Sequence, residues 1–152
     1  QAFEESDIHK IIENCLLILQ NQIKNNISIK KNYADKPCLL RCNEGKIHQA
    51  VLNLLMNAAQ AIEEKGTITI QTQNSGQKLY ISIIDTGCGI KKENLTKVTD
   101  PFFTTKDPGK GTGLGLSITQ NIIDEHNGTL EIISEFGKRT TINITLPTSI
   151  EY

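Results

Sequence analysis

Eight of the eleven glycines in this 152-residue chain fall between Gly66 and Gly115, and six of those lie in two short clusters, DTGCGI (85–90) and GKGTGLG (109–115). Glycine loses the most conformational freedom when held in a helix or strand, and its missing Cβ lets the backbone come close to another group. The stretch from Asp85 to Gly115 is therefore predicted to hold little regular structure and to lie against something. It also divides the chain, because hydrophobic periodicity is clear on both sides of it.

Upstream, Ile8, Ile11, Ile12, Cys15, Leu16, Leu19 and Ile23 recur at helical spacing, which predicts an amphipathic helix from Asp7 to about Lys24 with Ser6 or Asp7 as N-cap. Ile27–Tyr33 and Cys38–Cys42 read as short strands that resemble a hairpin. Asn43 caps a long helix, Glu44–Glu64, that Gly66 stops. Thr67–Gln73 and Lys78–Ile84 alternate as strands around Asn74, Ser75 and Gly76, a hairpin with turn chemistry. Downstream, Leu114 to about His126 reads as a helix, followed by paired strands Gly128–Glu135 and Arg139–Leu146. Strand pairs alternating with helices that need a common partner predict an α+β, two-layer α/β sandwich, with a mixed sheet covered on one face by three helices. The other sheet face is expected to be solvated.

Sixteen basic residues balance seventeen acidic ones, so the charge favours neither nucleic acid nor direct contact with an anionic membrane. The length fits one domain over residues 1–152. Cys15, Cys38, Cys42 and Cys88 follow neither a CxxC nor a zinc-finger spacing and read as buried thiols of a reducing compartment. No apolar run approaches the roughly 20 residues of a membrane span, and QAFEESDIHK lacks the order of a signal peptide. A cytoplasmic location is expected, whether or not a parent protein is anchored in the inner membrane.

Four features carry chemistry. Asn53 and Asn57 stack one turn apart beside the apolar stripe of the long helix, either as a solvated edge or as two amide oxygens aimed at a hard cation such as Mg2+. Asp85 ends an apolar strand and precedes Thr-Gly-Cys-Gly-Ile; it either caps the turn or accepts the exocyclic amine of a purine. GKGTGLGLS (109–117) opens a helix and is either a mobile loop or a phosphate clasp. It is not a Walker A loop, because no Gly-Lys pair has both a glycine five positions earlier and a Ser/Thr after the lysine, nor the dinucleotide fingerprint, since its glycines at 109, 111, 113 and 115 are spaced by two. Asp100–Lys106 holds Phe102 and Phe103, which form a local cluster or pin a lid, with Lys106 as a charge partner for phosphates.

In chain order, HQAVLNLLMNAAQAI (48–62), DTGCGI, DPFFTTK (100–106) and GTGLGLS (111–117) resemble the N box, first glycine box, F box and second glycine box of sensor histidine kinase catalytic domains. These belong to the wider group of gyrase, Hsp90 and MutL type ATPases, whose sandwich is called the Bergerat fold. Each box is modest alone, but four in this order and spacing are highly specific. The likeness spans about residues 5–147, and the run DPFFTTKDPGKGTGLGLS looks most like the nitrogen-regulation subgroup. It implies ATP and Mg2+ as cofactors, with Asn57 ligating the metal and Asn53 supporting metal or phosphates. It further implies that Asp85 binds the adenine amine and that Gly87, Gly89 and Ile90 line the base, with Thr140 nearby. Gly113, Leu114, Gly115 and Leu116 would place backbone amides near the phosphates, and Lys106 would lie on the lid. Ala58-Ala59-Gln60-Ala61 departs from the family, which often has a basic residue just after the second asparagine. Asn127 and Arg139 stand where glycines are usual and touch only turns.

Hydrolases of the same group use a glutamate four residues before the metal asparagine as general base; here that position is Asn53. A neutral amide is too weak a base to take a proton from water. The resemblance therefore implies transfer of the γ-phosphate to a histidine on a separate dimerisation domain, with a response regulator downstream. His9, His48 and His126 do not sit in the family's acceptor pattern and read as structural, His126 as a helix-end residue whose charged form would suit the dipole. The acceptor domain is expected to lie outside these residues. A silent ATP-binding module and an anti-sigma type serine kinase of the same fold are the other readings.

Overall fold

The computed structural model describes residues 3–21, 26–87 and 115–148. The elements are β1 (Glu4–Asp7), α1 (Ile8–Gln20), β2 (Ile27–Asn32), β3 (Leu39–Cys42), α2 (Glu44–Ala61), β4 (Gly66–Ser75), β5 (Lys78–Asp85), α3 (Gly115–Glu125), β6 (Thr129–Glu135) and β7 (Arg139–Pro147). Five strands form one mixed sheet in the order β2-β4-β5-β7-β6, and β1 pairs with β3 in a small antiparallel ribbon. The expected two-layer α+β sandwich is the observed one.

Its cause is the alternation of the strands. Ile68, Ile70, Leu79, Ile81, Ile83, Ile142, Ile144 and Leu146 all fall on one face and are buried against the apolar stripes of the helices. Those stripes comprise Ile8, Ile11, Ile12, Cys15, Leu16 and Leu19 of α1, Ile47, Val51, Leu54 and Leu55 of α2, and Ile122 and Ile123 of α3. Caps fix where the first two helices begin. The Asp7 carboxylate accepts the His9 amide at 2.9 Å, and the Asn43 side chain accepts the Lys46 amide at 3.2 Å. Helix α2 ends at Ala61 rather than Glu64, because Ile62 turns extended and carries the chain toward Gly66, the first residue of β4.

The expected β2–β3 hairpin does not form. Strand β2 runs parallel to β4, with Ile29 opposite Ile68, while β3 pairs with β1, with Leu40 opposite Ser6. The intervening residues are tied to α1 and β4 instead. The Tyr33 hydroxyl donates to Glu13 at 2.7 Å, Lys31 donates to the other Glu13 oxygen at 2.9 Å, and the Ala34 amide donates to the Thr72 hydroxyl at 2.9 Å. The Tyr33 ring stacks on His9 with centroids 4.6 Å apart. These contacts lead the chain out of the sheet, so β3 can bury Leu40 and Cys42 in the helix layer.

Helix α3 closes in a Schellman arrangement, in which the Gly128 amide donates to Ile123 O at 2.9 Å and the Asn127 amide to Asp124 O at 3.0 Å. Asn127 has φ 59°, the left-handed conformation that asparagine tolerates better than most residues, so its departure from glycine is accommodated there. Among the described residues no helix is long and apolar enough to cross a membrane.

Candidate functional site

The inner sheet face is apolar along most of its length and polar at one end. Alternation from Leu79 through Ile81 and Ile83 points Asp85 inward, and the register sets Asp85 beside Ile68 on β4 and Thr140 on β7. Thr140 pairs in turn with Ser134 of β6, whose hydroxyl lies 3.0 Å from the Thr140 hydroxyl and donates to Arg139 O at 3.1 Å. Asp85 is 5% exposed and Thr140 6%. Burial pushes the Asp85 carboxyl up from its ordinary 3.8 to about 6; the Gly87 amide, donating to Oδ1 at 2.9 Å, opposes the rise. Among the described residues that amide is the one group holding the carboxylate down. A desolvated carboxylate of this kind is a strong acceptor for an N–H brought to it by a ligand.

The chain leaving β5 is fastened in place. The Thr86 amide donates to Thr67 O at 3.2 Å, and the Thr67 amide donates to the Thr86 hydroxyl at 2.9 Å. Gly87 then passes against the end of α2, where a Cβ would stand 2.6 Å from Ala61 O and 2.7 Å from Ala61 Cβ. Only glycine fits that approach. The demand visible at Gly87 is thus close packing on α2, which holds the Asp85 loop at the C-terminal end of that helix.

One helical turn before Ala61 lies Asn57, half-buried beside the apolar stripe, with Asn53 half-buried a further turn back. Gly115, the first residue of α3, abuts Asn57: a Cβ there would lie 3.4 Å from Nδ2 and 3.7 Å from Oδ1. The start of α3 is held by the Thr119 hydroxyl, fully buried, which donates to Gly115 O at 2.7 Å. The fold therefore brings Asp85, Gly87 and Thr140 to one end of the sheet and sets Gly115 against Asn57, with Asn53 one turn before Asn57 on α2 and Leu116 next to Gly115 on α3. Gly89, Ile90, Lys106, Gly113 and Leu114 lie outside the described residues.

A purine nucleotide and Mg2+ fit this arrangement. The buried carboxylate needs a donor such as an exocyclic amine. Asn57 offers an amide oxygen, a hard ligand suited to Mg2+. Among the described residues there is no group of three or more His, Cys, Asp or Glu side chains able to hold a metal. Ser134, which supports Thr140, went unnoticed in the sequence; its register opposite Thr140, set by the turn at Gly137 (φ 83°), is the signal that reveals it.

Residues 42–150 match the family described as histidine kinase-, DNA gyrase B- and HSP90-like ATPases. The chain is 34% identical over 150 residues to sensor histidine kinase ZraS of Escherichia coli (strain K12), covering 98% of this chain and 32% of that protein. It is 35% identical over 148 residues to sporulation kinase C of Bacillus subtilis (strain 168), covering 96% and 34%. It spans about a third of the length of these curated relatives. Its fold superposes on the catalytic domain of histidine kinase ThkA with a TM-score of 0.88 at 29% identity, covering 99% of this chain and 100% of that one. ThkA has also been crystallised in complex with response regulator protein TrrA, a match at TM-score 0.82 and 27% identity over 97% of this chain and 42% of the other.

Proposed function

The chain belongs to the histidine kinase-, DNA gyrase B- and HSP90-like ATPase family, and we propose that it is the catalytic domain of a sensor histidine kinase, transferring the γ-phosphate of Mg-ATP to a histidine on a separate dimerisation domain. The observation that carries this reading is the pairing of a buried Asp85–Thr140 end with the Asn57–Gly115 contact one helical turn from Ala61. That geometry suits a purine at one end and its phosphates at the other.

In this reading Asp85 accepts the adenine amine, with Gly87, Gly89 and Ile90 along the base and Thr140 beside it. Asn57, supported by Asn53, would hold a Mg2+ ion, which would supply neutralisation of phosphate charge. Backbone amides of Gly113, Leu114, Gly115 and Leu116 orient the phosphates, and Lys106 supplies a countercharge. The incoming histidine nitrogen forms its bond to the γ-phosphorus as the bond to the β,γ-bridging oxygen breaks, and ADP leaves. This chain's contribution is positioning and electrostatics. Asn53, uncharged, leaves water without a base, which favours transfer over hydrolysis. Residues 1–152 act as one catalytic domain with its core at about 5–147. The phosphorylated dimerisation domain passes its phosphate to a response regulator, as the ThkA–TrrA complex suggests. The site works in the cytoplasm, and the glycine-rich run at 100–117 supports placement in the nitrogen-regulation subgroup.

Incubating the chain with γ-labelled ATP, Mg2+ and a separately expressed dimerisation domain of a related kinase tests the proposal. Label stable to base and labile to acid should appear on that domain, with near-zero ATP turnover by the chain alone. Acid-stable label points to a serine kinase, steady turnover to a hydrolase, and normal transfer by Asn57→Ala removes the metal assignment.

A further inference from the structure

Helices α2 and α3 lie antiparallel, with Asn43 at the start of α2 near the end of α3 and Asn57 near its beginning. The contact at the α3 terminus centres on His126, which is 5% exposed. Its Nδ1 lies 2.7 Å from Ile122 O, and a carbonyl only accepts, so Nδ1 carries the proton. Its Nε2 accepts the Asn43 backbone amide at 3.1 Å and so carries a lone pair. With Nδ1 donating and Nε2 accepting, the ring is in its Nδ1–H tautomer and ties the end of α3 to the start of α2. Lys46 of α2 joins Glu125 at 2.6 Å beside it. On the ring lies Phe3, from the segment just before β1, with centroids 4.8 Å apart and planes at 19°.

We infer that Phe3 and His126 are positioning residues that set the stance of α3, and through it the contact between Gly115 and Asn57, so that the chain upstream of β1 is coupled to the phosphate end of the site. The coupling rests on the function proposed above for Asn57. Helix α3 has eleven residues and is about 16 Å long, a rigid rod with one end held by His126 and the other against Asn57. Its middle is packed by Thr119, Ile122 and Ile123, 0%, 4% and 1% exposed, so it moves as a unit rather than bending. A displacement of Phe3 acts on a buried ring hydrogen-bonded to both helices, and the other end of the rod is where Asn57 meets Gly115. A displacement of the segment that carries Phe3 would then alter phosphate positioning without touching the adenine end, which is anchored on β5 and β7.

The test compares Phe3→Ala with Phe3→Tyr, which keeps the stack; Phe3 is only half-buried and outside the strands. In nucleotide-free protein, the Gly115 backbone amide and Asn57 side-chain amide resonances should move in Phe3→Ala and stay in place in Phe3→Tyr. Binding of a non-hydrolysable ATP analogue is then measured with Mg2+ and with EDTA. The gain in affinity conferred by Mg2+ should shrink about two- to tenfold in Phe3→Ala, the size of one aromatic stack, with EDTA affinity unchanged. Resonance changes confined to the neighbours of Phe3 and His126, or equal losses with and without Mg2+, overturn the coupling. An Asn57→Ala control that keeps the full Mg2+ gain overturns the metal assignment and the coupling together. A collapsed gain in Asn57→Ala beside an intact one in Phe3→Ala overturns the coupling alone.

Discussion

Replacing Asp85 with asparagine should strengthen the fold and weaken nucleotide binding at the same time. The carboxyl is raised by burial from 3.8 to about 6, and at about 1.4 kcal/mol per decade this corresponds to about 3 kcal/mol of lost stability at neutral pH. The sign follows from proton counts: between pH 4 and pH 6 the folded state holds the proton that the unfolded state has released, so stability falls as pH rises through that window. An asparagine oxygen can still accept the Gly87 amide, but its buried NH2 group costs about 1–2 kcal/mol. The net gain above pH 6 is therefore about 1–2 kcal/mol and turns into a loss of about 1 kcal/mol near pH 4, where the ionisation cost of Asp85 has nearly gone and that of the buried NH2 group remains. Loss of a charge-assisted hydrogen bond to the adenine amine is worth about 1.5–3 kcal/mol, or about ten- to 150-fold in affinity. Urea unfolding at pH 4 and pH 7.5, with calorimetric titration of an ATP analogue at pH 7.5, measures both. A variant less stable than wild type at pH 7.5, or one that binds the analogue normally, would refute the placement of Asp85 as a desolvated ligand-seeking carboxylate.

Gly87→Ala drives a methyl into the Ala61 carbonyl at 2.6 Å, backbone against backbone, and should cost about 1–3 kcal/mol in urea unfolding. Nucleotide affinity should fall with it, because the Asp85 loop must lift off α2. Burial pushes the Cys15 thiol up to about 12 and raises those of Cys38 and Cys42, so at neutral pH Cys15 should react with a disulfide reagent at least about a hundredfold more slowly in native than in denatured protein, and Cys38 and Cys42 should also be slowed. In 15N-labelled protein at neutral pH, His126 should show one protonated and one bare ring nitrogen, with Nδ1 the protonated one; the opposite tautomer would contradict its bond to Ile122 O.

Most elements were legible because their periods were clean. The burial of Leu79, Ile81, Ile83 and Asp85 on one side of β5 follows directly from strict alternation. Strand β1 was hidden, since EESD carries no apolar residue and forms only because β3 offers it an edge. Proximity in sequence predicts a β2–β3 hairpin, but β2 pairs with β4 and β3 with β1. What overrode proximity was Tyr33, Lys31 and Glu13 binding the connection to α1, a contact between residues about 20 apart that no local pattern encodes. At the site, Asp85 and Asn57 announced themselves by chemistry out of keeping with their surroundings. Ser134 and His126 did not, because their roles depend on register and on a tautomer fixed by contacts with Thr140, Asn43 and Ile122.

The central claim is that one end of the inner sheet face holds a purine and the α2–α3 junction its phosphates. A crystal structure of the chain with Mg2+ and a non-hydrolysable ATP analogue tests it most directly. The expected result places the adenine amine about 3 Å from the Asp85 carboxylate, the metal on the Asn57 oxygen and the phosphates beside Gly115. A nucleotide bound anywhere else, such as on the solvated sheet face around Gln71 and Tyr80, or one whose base makes no contact with Asp85, would contradict it.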